Sequence, residues 1–382
     1  MIKDEFIDIS NVNMPKGLPK IDFYKKPSYF EVAVPLFERC NLHCSFCFEK
    51  HINNDIDYDK ILAMPKLVIS QIKQQVLDCE TNQILLRLWG GEVFFDELPD
   101  EIFDIYREFI RLFKAEVDRE LPGKGIDITY LSNGVFTKYD RVEKLLKDTN
   151  GMIAFSYDPK DRFNTREQKE TWLKTLRHFQ SITKYISITL TKQSISAYIA
   201  GDEFFEQIPS NISVDINYYT ANPNWKKHMP TDEDIFSFYK WCVDNQKFNV
   251  RVMDNIYRYL IPSEKKYVER YCDCKQAVQF QEGKCIRDCA SRASSLERQM
   301  FYGAYADEIN ESNVTEAKNT LGLQKRGCFA CEHFEHCTMP CWVAIMFEGY
   351  KTTNCPLKMI YKYIPKESIE AFIEWKGRNN KL

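Results

Sequence analysis

The densest chemistry in the chain is one short stretch, Cys40-Asn41-Leu42-His43-Cys44-Ser45-Phe46-Cys47. Its spacing is C-x3-C-x2-C, with an aromatic residue before the last cysteine. Three thiolates on one loop can hold three irons of a [4Fe–4S] cube and leave the fourth iron open. A fourth thiolate nearby would fill the site, and the loop has none. An open iron can chelate the amino and carboxylate groups of a bound molecule. A zinc loop is the competing reading.

A second series follows far downstream. It reads Cys328-x2-Cys331-x5-Cys337-x3-Cys341-x13-Cys355, preceded by Cys272-x-Cys274-x10-Cys285-x3-Cys289. These nine thiolates suffice for two four-cysteine sites with one left over. His333 and His336 lie inside the run, and mixed Cys/His sets suit structural zinc. The plainer reading makes both histidines surface or core residues, since thiolates already meet the ligand count. Cys79 and Cys242 sit in helix-like, apolar stretches and read as small buried hydrophobes.

These loops need elements to position them. Short β-branched runs occur at Phe30–Phe37, Ile84–Trp89, Ile126–Leu131, Met152–Tyr157, Tyr185–Leu190 and Ile212–Tyr219. Helical spacing lies between or after them at Pro65–Leu77, Glu101–Phe113, Arg141–Leu146, Glu167–Phe179 and Asp232–Cys242. The first of these helices is expected to bury Leu67, Val68, Ile72, Val76 and Leu77. Strands alternating with helices argue for βαβ units and a parallel sheet, here an α/β fold of six strands forming an open sheet or an incomplete (β/α) barrel. After about residue 245 the alternation stops and the cysteines concentrate. The expected organisation is an N-terminal arm (1–28), a partial barrel (29–245), a bridge (246–271), a loop-rich cysteine-rich domain (272–360) and a terminal helix (361–382).

Composition narrows the classes of function. The 382 residues are 44% hydrophobic and 28% charged, enough for a sizeable core. Lys plus Arg number 52 against 55 Asp plus Glu, which gives no general field for nucleic acid or an anionic membrane. Arg251, Arg258, Lys265, Lys266 and Arg270 form a local basic run, read first as a solvated face. No apolar run reaches the roughly 18 residues of a membrane-spanning helix. MIKDEFIDIS lacks the apolar core of a signal peptide. A reducing, cytoplasmic setting is therefore expected, in which the 14 cysteines bind metal rather than form disulfides.

The cysteine loop resembles the signature of the radical S-adenosylmethionine (SAM) superfamily, in the expected place after the first strand. Further segments at successive strand ends strengthen the resemblance. Trp89-Gly90-Gly91-Glu92 is similar to the family's GGE motif, whose backbone and carboxylate face the SAM amino group. Glycines permit close backbone approach, and Glu92 can accept from an ammonium. Ser132-Asn133-Gly134 resembles the TNG-type turn, and Ser156-Tyr157-Asp158-Pro159 the S-x-D-G segment, with Pro159 in place of glycine. An arginine follows in that pattern, Arg166 being the nearest match and Arg162 its rival; with Ser156 it would bind the SAM carboxylate. Phe46 in the signature loop and Thr191 at the end of strand five complete the expected cofactor-binding set. The fold implied is a partial (β/α)6 TIM-type barrel.

The downstream series resembles the SPASM extension, which carries two auxiliary [4Fe–4S] clusters. The resemblance implies one cluster on Cys328, Cys331, Cys337 and Cys355. The other would use Cys341, Cys274 and Cys289 with Cys272 or Cys285, of which Cys272 is preferred. The implied activity is reductive cleavage of SAM to a 5′-deoxyadenosyl radical that abstracts a hydrogen atom from a substrate. The implied substrate is a peptide or protein, and the implied electron donor a flavodoxin or ferredoxin. A small metabolite or a nucleic-acid base is the second reading, and a zinc-stabilised binding module the third. Ala290 follows Cys289 where sulfatase-maturing members carry an aspartate base, and Asp288 precedes it. The residues before Cys40 are too few for the winged-helix module of many peptide maturases. Tyr218, Tyr219 and the Asn222–Trp225 segment read as core or rim, or as a peptide-binding wall.

Overall fold

The computed structural model describes residues 29–45, 47, 56–79, 81–160, 162–218, 228–265, 277–281, 283–287, 327–334, 337 and 355–379. The expected N-terminal arm (1–28) lies outside them, as do Tyr219 and residues 222–225 of the aromatic segment.

Six βα pairs lead the chain. They are β1 (Phe30–Pro35) and α1 (Tyr58–Asp78), β2 (Gln83–Trp89) and α2 (Glu101–Glu120), β3 (Gly125–Ser132) and α3 (Tyr139–Thr149), β4 (Gly151–Tyr157) and α4 (Arg166–His178), β5 (Thr183–Leu190) with α5 (Lys192–Ile199) and α6 (Phe204–Gln207), and β6 (Ser213–Tyr218) with α7 (Asp232–Asp244). Then come α8 (Arg251–Leu260), β7 (Ala277–Gln281), β8 (Lys284–Arg287), α9 (Pro356–Tyr363) and α10 (Lys366–Asn379). The sheet runs β6-β5-β4-β3-β2-β1-β7-β8. Strands β1 to β6 are parallel and neighbour each other in chain order. A doubly wound sheet would reverse its order at a switch point. This one does not, and it curls into a half-barrel, a partial TIM-type barrel.

Period-two alternation divides each strand between two environments. Phe30, Val32 and Val34 of β1, Ile84, Leu86 and Leu88 of β2, and Ile153, Phe155 and Tyr157 of β4 join the helices in one apolar core. The alternate set mixes polar residues, Glu31, Arg87, Thr129, Ser156, Ser187, Asp215 and Asn217, with Ala33, Leu85, Leu131 and Ala154. Closed barrels fill that interior with branched apolar layers, whereas here it holds an ion pair. Arg87 meets the Glu31 carboxylate through both terminal nitrogens, at 2.8 and 2.9 Å. The Arg87 guanidinium also lies 5.7 Å from the Tyr185 ring centre, and Asn217 donates to Ser187 at 2.6 Å.

The structure departs from the sequence expectations in four places. Helix α1 starts at Tyr58, after Asp57 caps it by accepting from Lys60 N–H. Its buried face is Ile61, Met64, Pro65, Val68, Ile69, Ile72 and Val76, while Leu67 and Leu77 are 41% and 46% exposed. One residue is roughly 100° of turn, so each leucine falls off the stripe that its neighbour occupies. The expected terminal helix is two helices, α9 and α10, parted at Pro365, which restricts Ile364 and has no N–H to continue α9. The cysteine-rich segment returns to the barrel: β7 pairs parallel with β1 and β8 antiparallel with β7. Lastly, the bridge contains helix α8, in which Arg251 pairs with Asp215 and Arg258 with Asp254, while Lys266 and Arg270 of the basic run lie outside the described residues.

The Glu31–Arg87 pair makes a stability prediction. Removing one partner strands the other charge in a largely buried setting. Glu31→Leu should cost about 2–4 kcal/mol in urea unfolding. The double variant Glu31→Leu/Arg87→Leu should be more stable than the single one, and a further loss in the double variant would contradict this account.

Candidate functional site

The cysteine loop lies at the carboxyl end of β1, against the ends of β2 and β3. Leu36 N–H donates to Trp89 O at 2.8 Å, Gly91 N–H to Phe37 O at 2.8 Å and Glu92 N–H to Arg39 O at 2.9 Å. The two chains approach so closely that a Cβ on Gly90 would stand 2.4 Å from Phe37 O, and one on Gly91 2.1 Å from Arg39 O. The close backbone approach expected of these glycines is the approach of the segment that leads into Cys40.

Glu92 fixes the other side. Its carboxylate is 1% exposed and accepts from Phe94 N–H at 2.9 Å, from the Ser132 hydroxyl at 2.7 Å and from Asn133 N–H. Burial outweighs these hydrogen bonds and the nearby Arg162 charge, and the carboxyl is pushed up to about 7. A carboxylate offers about four acceptor positions, and three are used.

Asn133 carries the connection onto the loop. Its amide donates to Asn41 Oδ1 at 2.7 Å and lies 3.8 Å from Cys40 Sγ. Asn41 donates in turn to Val135 O at 2.7 Å. Gly134 adopts φ +75°, and a Cβ there would fall 2.6 Å from the Trp172 ring. The Trp172 indole N–H donates to Ser156 O at 3.0 Å, so the ends of β3 and β4 share one support.

All three loop cysteines are thiols of intermediate exposure. Burial first, then the charge of Glu92, pushes the Cys40 thiol up to about 12; Cys44 and Cys47 are near enough to add to the effect. Among the described residues no three His, Cys, Asp or Glu side chains converge as ligands of a single ion. A cubane makes a different demand, one thiolate on each of three separate irons. Three neighbouring thiols on one clamped loop fit that demand. Phe46 lies outside the described residues.

The remaining cofactor-binding expectations separate. Ser156 ends β4 and is partly exposed. The Arg166 side chain is 92% exposed and pairs with Glu170 along α4. Arg162 is the guanidinium whose charge acts on Glu92, and its carbonyl lies 4.0 Å from Cys44 Sγ. Thr191 is fully buried and caps α5, accepting from Ser194 N–H at 3.0 Å. Asn41 was missed, and the signal available was an amide beside the first signature cysteine.

In the second cysteine series, Cys272, Cys274, Cys289 and Cys341 lie outside the described residues. Cys328, Cys331 and Cys337 stand at the corners of consecutive tight turns: Cys331 N–H bonds to Cys328 O at 3.0 Å, Phe334 N–H to Cys331 O at 3.0 Å, and Cys337 N–H to Phe334 O at 3.4 Å. Cys355 precedes α9, and both it and Cys337 pack on the core. These are thiols too, and their spacing at turn corners fits a cluster. Cys285 is placed differently. Its N–H donates to the Gln71 side chain of α1 at 2.6 Å and its sulfur lies 4.0 Å from Val68 O. Burial there pushes the thiol up to about 12. Cys242 is 1% exposed, as expected of a core residue, and Cys79 is partly exposed at the end of α1.

Glu92 sets a pH dependence. The folded carboxyl holds its proton up to about 7, against 4.5 ordinarily. The stability that this contributes is complete below about pH 4.5 and is lost as pH rises through about 7. Glu92→Gln should unfold more easily, because its amide nitrogen would face the Asn133 N–H. It should also lack this pH-dependent loss. Urea midpoints of the iron-free proteins at about pH 5 and about pH 8 check it: an equal pH response in both would show that Glu92 does not titrate in this range.

No family model matches the sequence, and no curated protein matches it. Solved structures do. Native anSMEcpe with bound AdoMet matches with TM-score 0.54 at 14% identity, over 92% of this chain and 97% of that one. The same protein with bound AdoMet and the Cp18Cys peptide matches with TM-score 0.56 at 15% identity, over 92% and 99%. Streptococcus suis SuiB matches with TM-score 0.45 at 18% identity, over 83% and 74%. At such identities the likeness to anSMEcpe is one of fold, and it extends over most of both chains. The chain carries a partial TIM-type barrel, the fold that its cysteine loop and strand-end segments led us to expect.

Proposed function

We propose that this chain is a radical SAM enzyme that abstracts a hydrogen atom from a peptide or protein substrate. The observation that carries the proposal is the clamped loop: three neighbouring cysteine thiols at the carboxyl end of β1, with Asn133 and the Glu92 carboxylate holding the loop against the ends of β2 and β3. A [4Fe–4S] cluster on Cys40, Cys44 and Cys47 would supply one-electron cleavage of SAM to methionine and a 5′-deoxyadenosyl radical.

The chain's own residues then have these tasks. Gly90 and Gly91 seat the loop. Glu92 retains an acceptor position for the SAM ammonium, and Ser132 and Asn133 orient its carboxylate. Ser156 and Arg162 are the candidates for the SAM carboxylate; Arg162 is preferred to Arg166, whose side chain is turned to solvent. Thr191 keeps the β5 end in place through its cap. Cys328, Cys331, Cys337 and Cys355 hold one auxiliary cluster, and Cys272, Cys274, Cys289 and Cys341 the other. The location of Cys285 against α1 supports Cys272 over Cys285 as the fourth ligand.

A peptide substrate is supported by fold likeness to a structure that binds one. Among the described residues the sheet ends at β6, beside which Val250 forms a parallel bridge with Val214, and at β8. The paired Arg251 and Arg258 speak against a nucleic-acid groove. No described helix is long and apolar enough to cross a membrane. A cytoplasmic setting with a flavodoxin or ferredoxin as electron donor completes the proposal.

Anaerobic reconstitution should load about twelve irons and twelve sulfides per chain. Replacing Cys40, Cys44 and Cys47 by alanine should lower the iron to about eight and abolish 5′-deoxyadenosine formation from SAM. Undiminished nucleoside formation in that variant would overturn the proposal. Cys285→Ser should keep about twelve irons, and a loss of four would make Cys285 a ligand after all. Substrate class is tested with short peptides encoded beside this gene, read as a mass change that depends on SAM and reductant.

A further inference from the structure

One joint near the second cysteine series has no task in the mechanism above. Tyr259, near the end of α8, meets His333 Nδ1 through its hydroxyl at 2.5 Å. His333 lies in the turn between Cys331 and Cys337, and its side chain is 14% exposed. Tyr361, on the helix that begins right after Cys355, stacks on Tyr259 with ring centres 4.2 Å apart and planes 28° apart. The His333 ring stands 5.0 Å from Tyr361 and 5.3 Å from Tyr259, and the Lys265 ammonium lies 4.6 Å from the Tyr259 ring centre. Three separate segments therefore meet at one aromatic cluster: the barrel helix α8, the turn loop carrying Cys328, Cys331 and Cys337, and the helix behind Cys355.

We propose that Tyr259 is a positioning residue for the auxiliary cluster. Its hydroxyl holds His333 and thereby fixes the turn between Cys331 and Cys337, and its ring, stacked with Tyr361, walls that side off from water. The inference rests on the reading that Cys328, Cys331, Cys337 and Cys355 hold an iron–sulfur cluster. The described backbone bonds of this loop are i to i+3 contacts at 3.0 to 3.4 Å. A side chain that ties such a turn to a rigid element raises the free energy of opening it. Tyr259 supplies such a tie, because α8 packs into the barrel core through Val252, Met253, Ile256 and Tyr257. Water exclusion has an electronic consequence as well. A four-thiolate cluster is more negative when reduced, so water stabilises the reduced form and exposure raises the potential.

The test uses the full chain with Cys40, Cys44 and Cys47 replaced by alanine, so that only auxiliary iron remains. Two quantities are measured after reconstitution: the rate of iron release to a ferrous chelator, and the midpoint potential from an EPR-monitored titration. Tyr259→Phe keeps the ring and loses the hydroxyl. Iron release should accelerate roughly five- to tenfold, the factor that loss of one hydrogen bond implies, and the midpoint should move upward. Tyr259→Ala should raise the midpoint further. His333→Leu should repeat the Tyr259→Phe effect, and the Tyr259→Phe/His333→Leu double variant should be no worse than either single one. His333→Asn, which restores an acceptor, should recover much of the loss. Unchanged release and midpoint in Tyr259→Phe, or additive effects in the double variant, would overturn the clasp. A background protein that holds no iron would overturn the cluster reading itself, and the clasp with it.

Discussion

The buried carboxylate of Glu92 is the constraint on which the rest of the site depends. It takes donors from its own turn, from Ser132 and from the Asn133 backbone, and so joins the ends of β2 and β3. The Glu92 backbone N–H at the same time holds Arg39 O, one residue before Cys40. A single residue therefore sets the position of the cysteine loop relative to two neighbouring strand ends. Removing such a group from water is expensive, and hydrogen bonds from three donors offset the cost only in part. The raised proton affinity of this carboxyl is the measure of what is left.

The barrel interior follows a similar logic. A half-barrel with a polar lining cannot rely on apolar layers to set its curvature. Instead, Glu31 and Arg87 tie β1 to β2 across the interior, and Ser187 and Asn217 tie β5 to β6. The apolar work is moved to the outer side, where strand residues such as Val32, Leu86 and Phe155 meet the helices in one continuous core. Rigidity is thus supplied largely from outside, by the helices.

The C-terminal segments are fastened to the barrel at several separate points. Strand β7 extends the sheet beside β1. Tyr257 reaches Ser368 of α10 at 2.6 Å, Tyr363 of α9 reaches Asp244 of α7 at 2.6 Å, and Lys376 reaches Glu264 at 2.6 Å. The Tyr259–His333 contact belongs to this set, and it alone among them lands inside a cysteine loop. Iron–sulfur potentials depend on hydrogen bonding and solvent access around the sulfurs, so on the proposed reading of this loop as a cluster site such a fastener would bear on electron flow as well as on stability.

Local chemistry by itself determined the strands, the helices and the cysteine loops. The six β-branched runs became β1 to β6 with ends shifted by a residue or two, because alternation and turn residues are read within a few positions of the chain. The signature spacing from Cys40 to Cys47 needs no partner to be recognised. Tertiary structure alone decided what each strand-end residue touches. Gly90 and Gly91 lie under the backbone of Phe37 to Arg39, Arg162 rather than Arg166 reaches the Glu92 region, Thr191 spends its hydroxyl on a helix cap, and Cys285 is buried against α1. Each of these outcomes depends on chain segments that are brought together only by sheet pairing and helix packing. Pattern along the chain specifies faces and loops, but which side chain fills which space is fixed by neighbours that the linear order does not name.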